Sequence, residues 1–319
     1  MGRAYLRRCV LTVDPGTGAL GRQIKDLRMT FSVEKTTASS ENTCQVQVYN
    51  LAPASRQFIE GVPSTKGSII LAAGYEPETP VGPQRSRVIF RGDVTKVRSS
   101  RQGTEIVTEI EARDGGNAFA TSIVSESAAA GTSMADVVRK TTKPLAAKGL
   151  KLPNLADVER WVSGKFAEHG FSLFGSPRRY LDQFARTLGG RREWWVTDGE
   201  LVLSTGGDPL AGAAVLLSPL TGLIGPPVLV GEDHDAATEE AEAADHDIEL
   251  TSLLNAEIQP GKAVQLESDA LTAVLRVEKV THTGDTHGGE WTSQVEARNL
   301  SALQKPLVTG TTVPDFALA

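Results

Sequence analysis

The chain has 319 residues, 40% of them hydrophobic and 23% charged, with a formal net charge of −6 at pH 7. This is enough apolar material for cores in about two to three compact units. The acidic balance excludes a global basic field that would attract nucleic acid, and two cysteines, Cys9 and Cys44, exclude a disulfide framework and offer no metal spacing.

No apolar run reaches the roughly 18 residues of a membrane helix. The opening, Met1 to Gly18, lacks the apolar stretch and small-residue cleavage site of a signal peptide, which predicts a soluble chain not exported by that route. Arg3, Arg7 and Arg8 read as a solvated end. Both cysteines fall in alternating text and are expected to be small buried hydrophobes, in keeping with a reducing assembly compartment.

The first third reads as strands. Tyr5 to Val13 alternates, and Leu27 to Val33 places Leu27, Met29, Phe31 and Val33 on one face. Cys44 to Asn50, Gly67 to Leu71, Val88 to Phe90, Val94 to Val97 and Ile106 to Ile110 continue the period of two, separated by turn residues. Such runs predict an antiparallel barrel or sandwich. Ala54 to Gly61 fits one or two helical turns. Pro77, Pro80 and Pro83 mark a loop.

The middle changes period. Ser133 and Asp136 stand at capping-box spacing before Val137, Val138, Thr141 and Leu145, and Pro144 should end or kink that helix. A second helix is expected with Ser176 as its cap and Pro177 in its first turn. Tyr180, Leu181, Phe184 and Leu188 form its stripe, and Gly189 closes it. Asp198-Gly199 between Trp194–Thr197 and Leu201–Leu203 predicts a hairpin. The last third returns to strands over 248–254, 263–266, 273–280 and 291–297. Before them, 231–247 is an acidic run with no core stripe, expected to be solvated.

Two distant stretches repeat one another. Gly67 to Leu71, Val94-Thr95-Lys96-Val97 and Ile110-Glu111-Ala112-Arg113 are matched in order by Gly261 to Leu266, Val277-Glu278-Lys279-Val280 and Val295-Glu296-Ala297-Arg298. The length differences fall in 75–87 and 282–289, where turn residues cluster and where a duplicated fold tolerates insertion. The expectation is mainly β α+β: two similar antiparallel β-barrel, tube-like domains over 1–115 and 205–305, a small α+β domain over 116–204 between them, and a tail over 306–319.

The passage Leu27 to Thr37 with Val46-Gln47-Val48-Tyr49-Asn50-Leu51 resembles the opening of phage baseplate hub proteins. Ala73-Gly74-Tyr75, Phe90-Arg91-Gly92-Asp93, Ala112-Arg113-Asp114-Gly115, Gly175-Ser176-Pro177 and Leu253 to Gly261 extend the resemblance in the same order. The family is that of late-control protein D and the hubs of contractile tails and injection systems. The acidic run 231–247 looks longer than that family's usual connection.

The resemblance implies a non-enzymatic virion protein. In such hubs, three chains form a pseudo-sixfold ring that joins the hexameric tail tube to the trimeric spike around a central channel. The implied partners are further copies of the chain, the tail tube or tube-initiator protein, the spike, the wedge proteins and the tape-measure protein. DNA enters only as passing cargo, and no stable membrane association is implied. The location it implies is the tail baseplate, assembled in the host cytoplasm. Two other readings are a hub-associated cell-wall hydrolase and a carbohydrate-binding β module.

The chemistry-bearing residues favour none of the catalytic classes. His282, Asp285, His287 and Glu290 are close in sequence but lie on a Gly-rich hairpin tip without metal-site spacing. Asp233-His234-Asp235 and Asp245-His246-Asp247 flank the acidic run and read as solvated charge. Gly189-Gly190 and Gly206-Gly207 lack a phosphate-loop context, and neither the G-x-S-x-G nor the H-E-x-x-H pattern occurs. Trp194 and Trp195 should face opposite sides of one strand, and Trp291 is a third aromatic to place. No catalytic, cofactor-binding or metal residue and no cofactor is therefore assigned.

Overall fold

A computed structural model describes residues 6–18, 20–63, 66–75, 86–230 and 248–300. Arg3, the three loop prolines, the acidic run with its Asp-His-Asp triplets, and the tail over 306–319 lie outside the described residues. The chain begins with β1 (Arg7–Asp14), β2 (Arg22–Ile24), β3 (Met29–Thr36), β4 (Thr43–Tyr49), α1 (Pro53–Glu60), β5 (Ser68–Tyr75), β6 (Arg87–Gln102) and β7 (Glu105–Arg113). The middle holds α2 (Gly116–Thr121), β8 (Val124–Ala128), α3 (Met134–Ala146), α4 (Leu155–Val162), β9 (Phe171–Gly175), α5 (Pro177–Thr187), β10 (Arg192–Thr197) and β11 (Glu200–Thr205). The last part holds β12 (Val215–Leu217), β13 (Leu223–Leu229), β14 (Ile248–Leu253), β15 (Ala263–Glu267), β16 (Thr272–Asp285) and β17 (Trp291–Asn299).

Alternation does what it should in the strands. Met29, Phe31, Val33 and Lys35 of β3 are buried, while Ser32 and Glu34 between them are exposed. The fold is mainly β, antiparallel and poor in helices. Its strands do not form two closed barrels among the described residues. They make one 13-stranded sheet, because β16 pairs with β3 and joins the first and last parts edge to edge. One pair departs from the antiparallel rule: β12 runs parallel to β15.

Within that sheet the sequence repeat reappears as geometry. The early strands run β3-β4-β7-β6-β5-β1 and the late ones β13-β14-β17-β16-β15-β12. The same irregularity interrupts both long strands, between Val94 and Lys96 in β6 and between Val277 and Lys279 in β16. One extra residue there opposes a single partner residue, the mark of a β-bulge. Val94, Val97 and Ala112 thus match Val277, Val280 and Ala297 rung by rung.

Local signals explain the middle part. The Ser133 hydroxyl accepts a hydrogen bond from the Ala135 amide at 3.2 Å, and α3 then runs two residues past Pro144 because the proline sits in its final turn. Ser176 holds the N-cap position of α5 without a side-chain bond, so Pro177 alone marks the start. Asp198 and Gly199 have φ of 53° and 79°, as a two-residue hairpin turn with both central residues left-handed requires. Three apolar clusters follow the three stretches of chain, but Leu254 and Trp291 from the last stretch are buried in the first cluster.

Candidate functional site

Candidate function lies in the seams of the sheet. Where β16 meets β3, the rungs run from Lys279–Thr36 to Asp285–Thr30. Phe31 and Trp291 meet edge to face across this seam, with centroids 5.3 Å apart. Gly284 makes the contact possible: a Cβ there would lie 2.4 Å from the Phe31 ring and 2.7 Å from that of Trp291.

Two buried ionic clusters fasten the middle part onto this seam. Lys35 has no solvent exposure. Its Nζ donates to both carboxylate oxygens of Asp198 at 2.8 Å and to Gln259 Oε1 at 3.1 Å. Asp198 is the β10–β11 turn and Gln259 precedes β15, so one ammonium ties all three parts of the chain. The nearby Asp114 accepts from the Gly199 amide at 3.0 Å. Burial, with the Asp198 charge second, pushes its carboxyl up to about 7.

The second cluster centres on Arg276, also without exposure. Its guanidinium donates to Glu278 at 2.6 and 2.7 Å and to Glu193 at 2.5 Å. Glu278 in turn accepts from the Thr37 hydroxyl at 2.7 Å. Arg276 stacks over Trp195, centroid distance 5.9 Å, and Trp195 packs where a Cβ on Gly261 would come within 2.7 Å. Arg178 of α5 donates to the Ser39 carbonyl at 2.8 Å and lies over the Phe119 and Trp194 rings. Charges so buried contribute little net stability, yet losing one partner is strongly destabilising. They act as fixed locks.

The residues singled out from the sequence fall differently. His282 is buried in the seam opposite Val33, with Nδ1 2.8 Å from Ser293 Oγ. Burial, then the Lys35 charge, pushes its pKa down to about 3. Asp285 pairs with Arg28 at 3.0 Å, and His287 and Glu290 are exposed on the tip. The four do not converge, and among the described residues no group of three or more His, Cys, Asp or Glu side chains stands as a metal set.

Trp194, Trp195 and Trp291 are all buried, so they form no exposed platform for a sugar. The first lies in the middle cluster and the second at the junction to the last part. Cys9 and Cys44 are free and buried. Sequence reasoning passed over Lys35, Arg276 and Glu278. Lys35 continues the inward alternation of Met29, Phe31 and Val33, which was an available signal. Arg276 and Glu278 instead lie on the face opposite Leu275 and Val277, in a stretch buried on both sides that alternation does not reveal.

A family model described as baseplate hub gp41 matches residues 8–271. The chain belongs to the baseplate hub gp41 family. Membership carries a structural role in the phage baseplate, as the sequence resemblance implied. No curated protein matches the sequence. Among solved structures, the hub is similar in fold to the 43 kDa tail protein of prophage MuSo2 from Shewanella oneidensis. The TM-score is 0.60 at 11% identity, over 93% of this chain and 98% of that one.

A tail protein from Neisseria meningitidis MC58 gives a TM-score of 0.59 at 10% identity, over 91% and 96% of the two chains. The E. coli c3393 protein, a component of the type VI secretion system, gives 0.50 at 12% identity, over 86% and 74%. At such identities these likenesses establish the fold.

Proposed function

We propose that the chain is the structural hub subunit of a contractile phage tail. Three copies form a pseudo-sixfold ring that joins the hexameric tail tube to the trimeric spike around a central channel. Residues 1–115 and 205–305 supply the two tube-like β modules, 116–204 braces them, and 306–319 is a tail. The observation that carries this reading is the doubled strand order, with its bulge at the same rung in β6 and β16. A chain that presents one motif twice allows three copies to offer six similar surfaces, and closed symmetric rings are the common form of soluble homo-oligomers.

In this reading the partners are further copies of the chain, the tube or tube-initiator protein, the spike, the wedge and the tape-measure protein, with DNA as passing cargo. The chain performs no chemistry and is assembled in the host cytoplasm. Sedimentation of the purified chain tests it: a species near three times 33.9 kDa is expected at micromolar concentration. A monomer there, together with tails imaged with this chain off the central axis, would remove the proposal. Clearing of peptidoglycan that a single carboxylate substitution abolishes would remove the non-enzymatic part.

A further inference from the structure

The edge of β16 that carries β15 along its first half carries β3 along its second. The matching edge of β6 carries β5 over Arg87–Asp93 and, among the described residues, no strand beyond the bulge. From Thr95 to Gln102 no residue is buried, whereas Val280, His282 and Gly284 at the matching rungs of β16 all are. The missing neighbour would be a strand equivalent to β3, and the strand order identifies its counterpart as β13.

That strand is itself an open edge. It pairs with β14 on one side only among the described residues, with Val228 57% and Leu229 70% exposed. Leu223 to Val230 holds no charged residue. An uncharged apolar strand at an open edge lacks the protection that solitary edges normally carry. Pro226 and Pro227 fall in the irregular stretch between Ile224 and Val228, where they take no rung of the ladder and leave Val228 and Leu229 free to pair. Within one chain β13 and β6 are separated by six intervening strands of the same ladder, β13-β14-β17-β16-β3-β4-β7-β6, so the partner is a second copy.

We infer that β13 of one copy adds antiparallel to the open half of β6 in the next, repeating between chains the seam that β3 and β16 make within one. The register follows from the internal equivalence. Ser32 faces Thr283 and Val33 faces His282; Val228 and Leu229 take the places of the first pair members, Ser100 and Ser99 those of the second. Val228 therefore faces Ser100 of the next copy, and Leu229 faces Ser99. The contact is head to tail, which closes into a ring when the rotation allows. This inference rests on the hub reading and specifies which strands hold the ring shut.

The test uses the full chain carrying Val228→Cys and Ser100→Cys. Residues facing each other in such a ladder sit roughly 4.5–5.5 Å apart at Cα, within disulfide range; the native cysteines are buried and do not compete. Mild oxidation should yield disulfide-linked dimers and trimers on non-reducing gels. An offset pair, Val228→Cys with Gln102→Cys, should yield at least about tenfold less, because diagonal neighbours are roughly 7–8 Å apart. Leu229→Lys, a change at an exposed site, should weaken the trimer by tenfold or more in sedimentation while leaving the circular dichroism unchanged. If the wild-type chain is a trimer, but the Val228→Cys/Ser100→Cys chain crosslinks no more than the offset pair and Leu229→Lys leaves the trimer intact, the inference is overturned and the ring remains. A wild-type monomer at all concentrations overturns both.

Discussion

Strands β6 and β16 hold the same place in two copies of one strand order and bend at the same bulge, yet their second halves have opposite surroundings. In β16 the chain's own β3 seals the edge. At Gly284 the neighbouring rings of Phe31 and Trp291 leave no room even for a Cβ. At the matching rung of β6 stands Arg101, exposed, with its Nε donating to the Gly103 carbonyl at 3.1 Å. The residues have diverged to suit what each edge meets, while the backbone has kept its course. The repeated strand order thus keeps the ladder while the side chains differ.

Removing the lock on the sealed side should produce the largest effect. Lys35→Met leaves Asp114 and Asp198 without their cation. The expected loss is about 3 kcal/mol in chemical denaturation, toward the low end for buried pairs because Asp198 keeps a third of its side chain in solvent. Adding Asp198→Asn should restore part of it.

Gly284→Ala and Arg101→Ala set the two strands side by side. The first forces a methyl group onto two aromatic rings and should cost about 1–3 kcal/mol, whereas the second should stay within about 0.5 kcal/mol. Equal values in the two unfolding curves would mean that the seam is not packed as described.

A pH series probes the same junction more gently. Asp114 has its carboxyl raised from 3.8 to about 7, so the folded state holds a proton that the unfolded chain releases. Its contribution to stability is full below the unfolded value and is lost as pH rises through 7, with a slope of at most about 1.4 kcal/mol per pH unit. Urea midpoints measured between pH 5 and 8 should flatten in Asp114→Asn.

Much of this was legible beforehand. Period-two runs located β3, β4, β6, β7, β16 and β17, Asp198-Gly199 located its hairpin, and the rhyme of Val94–Val97 with Val277–Val280 anticipated the doubled order. Helix α4 was missed although Asn154 caps it, accepting from Asp157 at 2.9 Å, and Val158, Trp161 and Val162 line its buried face. Strand β13 was hidden by Pro226 and Pro227, which argue against a strand everywhere except at an edge. The single sheet could not be read at all. A strand's alternation records which face is buried but not which strand lies beside it, so β16 looks the same whether its edge is open or joined to β3.

The joining of β3 to β16 also sets a timetable. Thr37 and Glu278, bonded at the end of that seam, are 241 residues apart in the chain. At roughly 5–20 residues per second of synthesis, β3 waits about 10–50 s for its partner to leave the ribosome. Through that interval the backbone edge of β3 that later pairs with β16 stands open. Neighbouring nascent chains on one message would carry the same open edge, so in crowded translation exchange of β3 between chains competes with its return to its own β16.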